Sequence, residues 1–88
     1  MGTTIGNVLI SYDVNKSHAQ VKAGLEALSY YDYFVNTGES KKEMPNTTLW
    51  HQQKSTDQAI NDLKTVCNRV GALLEKAVAV KASEFVGI

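Results

Sequence analysis

The sequence predicts an α+β domain whose elements follow the order β-α-β-β-α-β. Two segments open with the spacing of a helix capping box and continue with apolar residues at helical intervals. Four other segments are short runs of apolar, β-branched or aromatic residues bounded by polar loops. With right-handed crossovers, this order builds the ferredoxin-like sandwich, an antiparallel four-stranded sheet with both helices on one face.

The first strand is expected over residues 6–14, the stretch GNVLISYDV. Side chains of an extended chain alternate between two faces. The face suited to a hydrophobic core carries Val8, Ile10 and Tyr12. The opposite face carries Leu9, Ser11 and Asp13. A carboxylate therefore stands where the strand gives way to a loop.

The first helix is expected over residues 17–29, with Ser17 as the cap and Gln20 three residues further on. Its apolar stripe consists of Val21, Leu25 and Leu28. Gly24 costs a helix roughly 1 kcal/mol relative to alanine. We therefore expect Gly24 to permit close packing of this helix on the sheet.

A second capping box, Ser55 with Gln58, opens a helix that is expected to end near Gly71. Its apolar stripe consists of Ile60, Leu63, Cys67 and Val70, with Val66 beside it. Cys67 is therefore expected to be an inert core residue, and as the single cysteine it cannot form an internal disulfide.

The other strands are expected over residues 30–36, 47–52 and 73–82. Residues 37–46 are polar and contain the only proline, which predicts a long loop between the two middle strands. The tail, residues 83–88, carries apolar side chains that need cover. It is expected either to add a fifth strand or to contact a partner.

Length and composition limit the size of the fold and its partners. Eighty-eight residues suit one domain, residues 1–88, and a domain of this size buries only ~60–65% of its unfolded surface, so burial between subunits adds stability. Nine basic residues balance nine acidic ones, which argues against a protein that grips long stretches of duplex DNA. No basic-then-apolar leader opens the chain and no apolar run is long enough to span a membrane, so a cytoplasmic protein without a membrane partner is expected.

The face of the sheet without helices is expected to be of mixed character. It should combine Leu9, Ser11 and Asp13 of the first strand with Ala77, Ala79 and Lys81 of the last. Such a face is neither fully polar nor fully apolar. We therefore expect it to meet a second copy of itself in a homodimer.

The segment from Val8 to Asp13, VLISYD, with a helix after a short loop, resembles the family of CRISPR-associated protein 2. It is also similar to the related virulence-associated protein D ribonucleases and the small SinR-like proteins. The resemblance covers the order of elements over nearly the whole chain, and its specific part is the strand that ends in Tyr-Asp. It implies a homodimer with Asp13 of each protomer at the two-fold interface. The paired carboxylates would hold Mg²⁺ or Mn²⁺ for phosphodiester cleavage, which implies a metal-dependent endonuclease.

Three residues are candidates for the catalytic site. Asp13 is the candidate metal ligand, because metal-dependent phosphodiester hydrolysis needs hard oxygen ligands. The alternative is that its carboxylate only accepts hydrogen bonds from backbone N–H groups of the loop. Ser11, on the same face, would contact a phosphate or a metal-bound water, or else supply a hydroxyl within the dimer interface. His18 would be a general acid or base, or else a solvated residue in the first helical turn.

Lys16, Lys41 and Lys42 are the candidate residues for binding nucleic-acid phosphates. Lys41 and Lys42 lie in the predicted long loop between two glutamates, so a solvated loop is the alternative. His51 follows Trp50 on a predicted strand and must face the opposite way. If Trp50 is buried beneath the helices, His51 lies on the same face as the candidate metal ligand.

Two functions of different classes follow from these patterns. The first is a homodimeric metal-dependent endonuclease, acting on RNA or single-stranded nucleic acid because the chain carries no net positive charge. The second is a non-catalytic dimeric module that binds nucleic acid or a protein, for example in a mobile-element or toxin-type system whose operon partner is unknown. Only the nuclease requires both Asp13 carboxylates within reach of one metal ion.

Overall fold

Seven elements of secondary structure form within residues 2–87, the part of the chain that this computed structural model describes. In chain order they are β1 (Gly6–Val14), α1 (His18–Glu26), β2 (Tyr33–Phe34), β3 (Lys42–Glu43), β4 (Thr48–Lys54), α2 (Thr56–Val70) and β5 (Leu74–Lys81). These elements make a small α+β arrangement. No helix in this part of the chain is long and apolar enough to cross a membrane.

The main sheet has three antiparallel strands in the order β4-β1-β5. β1 lies at the centre, where its inward side chains Val8 and Ile10 are fully buried. On the outer edge of β4, Trp50 exchanges backbone hydrogen bonds with Tyr31, but this is a single bridge and not a strand. The order is consistent with a ferredoxin-like arrangement. The predicted four-stranded sheet is corrected to three strands and one bridge within residues 2–87.

The predicted second strand, residues 30–36, is the largest departure from expectation. Only β2 is extended there, and it pairs with β3 in a separate two-stranded hairpin. Tyr30 turns into the core, 2% exposed, and its hydroxyl donates to Oδ2 of Asp62 at 2.8 Å. The indole Nε1 of Trp50 donates to the carbonyl oxygen of Tyr33 at 2.6 Å. These side-chain contacts hold the segment where a regular ladder was expected.

The predicted long loop, residues 37–46, is interrupted by β3. The N–H of Met44 donates to the carbonyl oxygen of Asp32 at 2.8 Å and extends the pairing of the hairpin. The carboxylate of Asp32 also forms an ion pair with Lys22 of α1 at 3.0 Å. The hairpin is therefore tied to the first helix.

α1 is shorter than predicted and lacks the predicted capping box. Ser17 has a φ of 61°, in the left-handed region, and its side chain makes no capping hydrogen bond. The prediction of Ser17 as a side-chain cap is therefore wrong. Val21 and Leu25 are fully buried as predicted, whereas Leu28 lies beyond the helix and is 38% exposed.

Gly24 lies at a close approach of the two helices. A Cβ atom placed on Gly24 would lie 2.7 Å from Cγ1 of Val66 in α2. The expected close packing is therefore present, but its partner is α2 and not the sheet.

α2 begins and ends as predicted. The N–H of Gln58 donates to Oγ of Ser55 at 3.1 Å, and the N–H of Ser55 donates to Oε1 of Gln58 at 2.9 Å, so both halves of the capping box form. Gly71 ends the helix with a φ of 75°, a left-handed conformation that suits glycine. Leu63 and Cys67 of the predicted stripe are buried together with Val66, while Ile60 and Val70 pack against them.

One buried cluster joins β1 to both helices. It includes Tyr12 and Val14 of β1, Val21 of α1 and Leu63 of α2. Because the inward side chains of β1 share this cluster with both helices, the helices cover the same face of the sheet, as predicted. The opposite face of the sheet is therefore left without a helix.

The tail after β5 folds back onto its own chain. The ring of Phe85 lies 5.3 Å from that of Phe34 and 4.9 Å from that of Trp50, measured between centroids. Nδ2 of Asn36 donates to the carbonyl oxygen of Phe85 at 2.8 Å. No fifth strand forms in the described part of the tail, and Ile88, which the prediction included, lies outside the described residues.

Candidate functional site

The helix-free side of the main sheet, here called the open face, carries the candidate site. Residues that stand opposite each other in an antiparallel pair share a face, so the strand registers define its membership. The open face consists of Leu9, Ser11 and Asp13 of β1, Thr48 and Trp50 of β4, and Lys76, Val78 and Val80 of β5.

β5 presents the opposite set of side chains from the one expected. Lys76 stands opposite Asp13, which places Val78 and Val80 on the open face as well, 53% and 45% exposed. Ala79 instead packs against the buried core. The prediction of Ala77, Ala79 and Lys81 on this face is therefore wrong.

The side chain of Asp13 is exposed at the end of β1, where the backbone of Asp13 pairs with Lys76 of β5. Within residues 2–87 its carboxylate makes no hydrogen bond and no ion pair. Asn15 secures the loop instead: its Oδ1 accepts the N–H of Leu73 at 2.8 Å, and its N–H donates to the Leu73 carbonyl at 3.2 Å. The alternative role of Asp13, accepting loop N–H groups, is not observed in this part of the chain.

A shallow depression of about 330 Å³ lies beside Asp13. It is lined by Ser11, Tyr12, Asp13, Thr47, Lys76, Ala77 and Val78. The depression thus brings together one carboxylate, two aliphatic hydroxyl groups and one ammonium group. Carboxylate and other oxygen donors suit a hard divalent cation, and an ammonium group suits a phosphate.

Thr47 and Lys76 belong to this depression and were not predicted. A signal for Lys76 exists in the alternation of LEKAVAVK, because a face that shows Val78 also shows Lys76. Thr47 has a φ of 64° in the turn before β4, and no sequence pattern points to it.

The described residues of one chain supply only one carboxylate to the depression. Among residues 2–87, no group of three or more His, Cys, Asp or Glu side chains could hold a metal ion. The donor set at the depression contains a single carboxylate, Asp13, and Lys76 stands directly opposite it. A divalent cation held at Asp13 would need further oxygen ligands from outside this set, such as water, a phosphate or a second carboxylate.

His18 and Lys16 follow Asp13 closely in sequence but do not line the depression. Lys16 is exposed in the loop before α1, and His18 is exposed as the first residue of that helix. Neither side chain makes a hydrogen bond or ion pair within the described residues. Their catalytic and phosphate-binding roles stay predictions.

Lys41 and Lys42 lie at the β2–β3 hairpin and do not line the depression either. Nζ of Lys41 stands 4.4 Å from the centroid of the Tyr33 ring, a cation–π distance. Lys42 is half-buried in β3, opposite Phe34. The structure therefore does not bring these two lysines together with Asp13.

His51 lies on the helix side of the sheet, because Trp50 occupies the open face. His51 would lie on the same face as Asp13 only if Trp50 were buried beneath the helices, and Trp50 is not. Nδ1 of His51 accepts the N–H of Gln53 at 2.9 Å, and Nε2 lies 3.0 Å from the carbonyl oxygen of Leu28. Since a carbonyl oxygen only accepts, Nε2 carries the proton and donates it.

These two hydrogen bonds select the neutral form of the His51 ring. Burial of the ring is the main cause that lowers the pKa of His51, and the positive charge of Lys54 acts in the same direction. The hydrogen bond to Leu28 and the negative charge of Asp62 oppose the shift. His51 therefore connects the turn after α1 to β4 as a neutral side chain.

Comparison with known protein families, with curated proteins and with solved structures found no match to this chain. On the open face, the depression beside Asp13 is where an exposed carboxylate, hydroxyl groups and a lysine meet.

Proposed function

We propose that this protein is a metal-dependent endonuclease that acts as a homodimer on RNA or on single-stranded nucleic acid. The observation that carries the proposal is the Asp13 carboxylate, exposed at the end of the central strand and bonded to nothing else in residues 2–87. The resemblance of the segment from Val8 to Asp13 to CRISPR-associated protein 2 supports the same role. The strand order, with Tyr31 bridging the outer edge of β4, supports the ferredoxin-like fold that the resemblance implies.

The homodimer forms through the open face, so that the carboxylate of Asp13 and that of Asp13 of the partner subunit bind one Mg²⁺ or Mn²⁺. Such an ion, when bound, stabilises charge on a phosphate and lowers the pKa of a bound water. Val78 and Val80 supply exposed apolar surface beside the depression for this contact. Burial of such surface is worth roughly 25 cal/mol per Å².

The remaining residues of the depression act on the nucleic acid. The hydroxyl of Ser11 donates to a phosphate oxygen, and Lys76 neutralises phosphate charge. His18, which lies outside the depression at the start of α1, accepts or supplies a proton. Lys16, Lys41 and Lys42 extend phosphate binding beyond the depression.

The test is cleavage of labelled single-stranded RNA, single-stranded DNA and duplex by the purified protein with Mg²⁺, Mn²⁺ or EDTA. Asp13→Asn removes the charge and keeps the shape. Glu84→Gln makes the same chemical change at an exposed acid that does not line the depression. We expect metal-dependent cleavage of a single-stranded substrate that Asp13→Asn reduces at least about 100-fold, or ~2.7 kcal/mol, and that Glu84→Gln leaves unchanged. Intact substrates throughout, or equal cleavage by both variants, would contradict the proposal.

The second candidate is a non-catalytic dimeric module that binds nucleic acid or a protein partner, for example in a mobile-element or toxin-type system. Lys76 favours it, because an ammonium group opposite Asp13 competes with a cation. In this case labelled single-stranded RNA binds equally well with and without EDTA and is not cut. Lys76→Gln then weakens binding, while Lys64→Gln, at an exposed position on α2, does not.

A further inference from the structure

Within residues 2–87, β5 pairs with a strand along one of its two edges. β1 pairs with its inner edge, and nothing within residues 2–87 pairs with the outer edge. Ala82 donates its N–H to the carbonyl oxygen of Asn7 at 3.0 Å, so the backbone groups of Ala82, and of every second residue before it in β5, point toward β1. Since these groups alternate between the two edges of a strand, the outward-facing set is Ala77, Ala79 and Lys81. Such an edge is a template for another strand.

The regular part of this outer edge begins at Lys76. Lys76 stands opposite Asp13 and Leu74 stands opposite Val14, so Glu75 is an extra residue in β5. A bulge of this kind bends the strand and disrupts further pairing at that point. An added strand therefore pairs with the outer edge from Lys76 onward.

We propose that the outer edge of β5 pairs antiparallel with the same edge of a second copy of this chain, about a two-fold axis at Ala79. Ala79 then faces Ala79 of the partner subunit, and Ala77 faces Lys81 of the partner subunit. Every hydrogen-bonded pair in this register uses outward-facing backbone groups on both strands. The pairing joins two three-stranded sheets into one six-stranded sheet.

The side chains select both the partner and the register. Val78 of each copy faces Val80 of the partner subunit in the non-hydrogen-bonded pairs, where side chains approach most closely. Lys76 faces Ala82 of the partner subunit, so no like charges stand opposite each other. A register centred on Val78 would instead place each Val80 opposite a Lys76. The formal net charge of zero means that two copies do not repel each other strongly.

The edge contact is separate from the contact through the open face. With about 4.8 Å between strands and 3.4 Å per residue, the two Asp13 residues lie roughly 25 Å apart in the edge-paired dimer. That separation is too long for a shared metal ion. Edge pairing alone therefore does not bring the two Asp13 carboxylates together, so cleavage and edge pairing are tested by separate experiments.

Disulfide trapping tests the register directly. Cys67 is 2% exposed, so an introduced cysteine is the accessible thiol. In Ala79→Cys the two Cα atoms lie about 5.5 Å apart, within disulfide range. We expect most of this variant to become a linked dimer under mild oxidation, and Ala77→Cys, about 14 Å from its counterpart, to stay unlinked. A link in Val78→Cys but not in Ala79→Cys would overturn the register.

Sedimentation equilibrium tests the association itself. Ala79→Pro removes an outward-facing N–H and leaves the ladder with β1 intact. Ala77→Lys, at an exposed position on the helix side of β5, places a lysine opposite Lys81 of the partner subunit without touching the backbone or the two valines. We expect each change to weaken dimerisation at least about tenfold, with the circular dichroism spectrum of at least one variant unchanged. A monomeric wild-type chain, or a dimer insensitive to both changes, would overturn the proposal.

Discussion

Replacing Tyr30 by phenylalanine tests the anchor that stands in place of the expected second strand. The ring is 2% exposed and Tyr30→Phe keeps it, so the change removes only the hydroxyl that donates to Oδ2 of Asp62 at 2.8 Å. The pKa of Tyr30 lies far above its ordinary value because of burial, the hydrogen bond to Asp62 and the negative charge of Asp62. The phenol therefore stays protonated and acts as the donor. A hydrogen bond to a charged group contributes about 1.5–3 kcal/mol. Asp62 keeps its ion pair with Lys54 at 3.0 Å and remains partly solvated, so we expect the lower end, about 1.5 kcal/mol.

Urea unfolding at fixed protein concentration measures this loss, with circular dichroism as the signal. We expect a lower midpoint at an unchanged slope, and a melting temperature lower by roughly 6–12 °C. Tyr33→Phe is the matched control, because the Tyr33 hydroxyl makes no hydrogen bond within the described residues, and its effect should stay within about 0.5 kcal/mol. A loss under about 0.5 kcal/mol for Tyr30→Phe, or equal losses for both variants, would refute this account of the anchor.

Three further predictions concern the helices and the response to pH. Gly24→Ala should lower the free energy of unfolding by about 1 kcal/mol, because overpacking against Val66 outweighs the gain in helix propensity; a more stable variant in urea unfolding would contradict this. Ser55→Ala should cost about 1–2 kcal/mol by removing the cap of α2, and an unchanged midpoint would show that the cap is dispensable. Because the folded state lowers the pKa of His51, the stability from its neutral ring is complete above the unfolded value of about 6.5 and falls as pH drops below it. His51→Gln should flatten that fall in urea titrations across this range, and an identical pH profile would exclude the ring as its source.

The two capping boxes show when a local pattern is enough to predict structure. Ser55 and Gln58 form both reciprocal hydrogen bonds, as their spacing predicts. Ser17 and Gln20 have the same spacing, but Ser17 is left-handed with a φ of 61° and caps nothing. The path by which the chain leaves β1 determines that backbone angle, and this path depends on the tertiary structure. The side-chain spacing alone could not reveal it.

The faces of the strands were predicted correctly for β1 and wrongly for β5. In β1 the pattern placed Tyr12 in the core and Asp13 on the open face, and both positions are observed. In β5, burying the larger side chains would put Val78 inside, but the extra residue Glu75 lets Leu74 pack on the core while Val78 stays outside. A one-residue bulge reverses a face, and period-two alternation does not locate it.

The candidate site was predictable only in part for the same reason. Asp13 and Ser11 follow from the alternation along a single strand. Lys76 and Thr47 join them through strand pairing and a turn, which depend on contacts between distant segments. The sequence did not determine which face of the sheet carries Trp50, because both faces of β4 carry large side chains. In the structure Trp50 lies on the open face, where it contacts Phe85 and the hairpin.

Tyr31 pairs with the outer edge of β4 at Trp50, whereas within residues 2–87 nothing pairs with the outer edge of β5. A sheet with two such edges can add copies without limit, which is how filaments grow. A sheet with a single unpaired edge stops at two copies, because a two-fold axis uses that edge in both copies and leaves no other edge to pair. If two copies pair through β5 as proposed, the bridge at Tyr31 favours a closed pair over an open-ended fibre, because it occupies part of the other edge of the sheet.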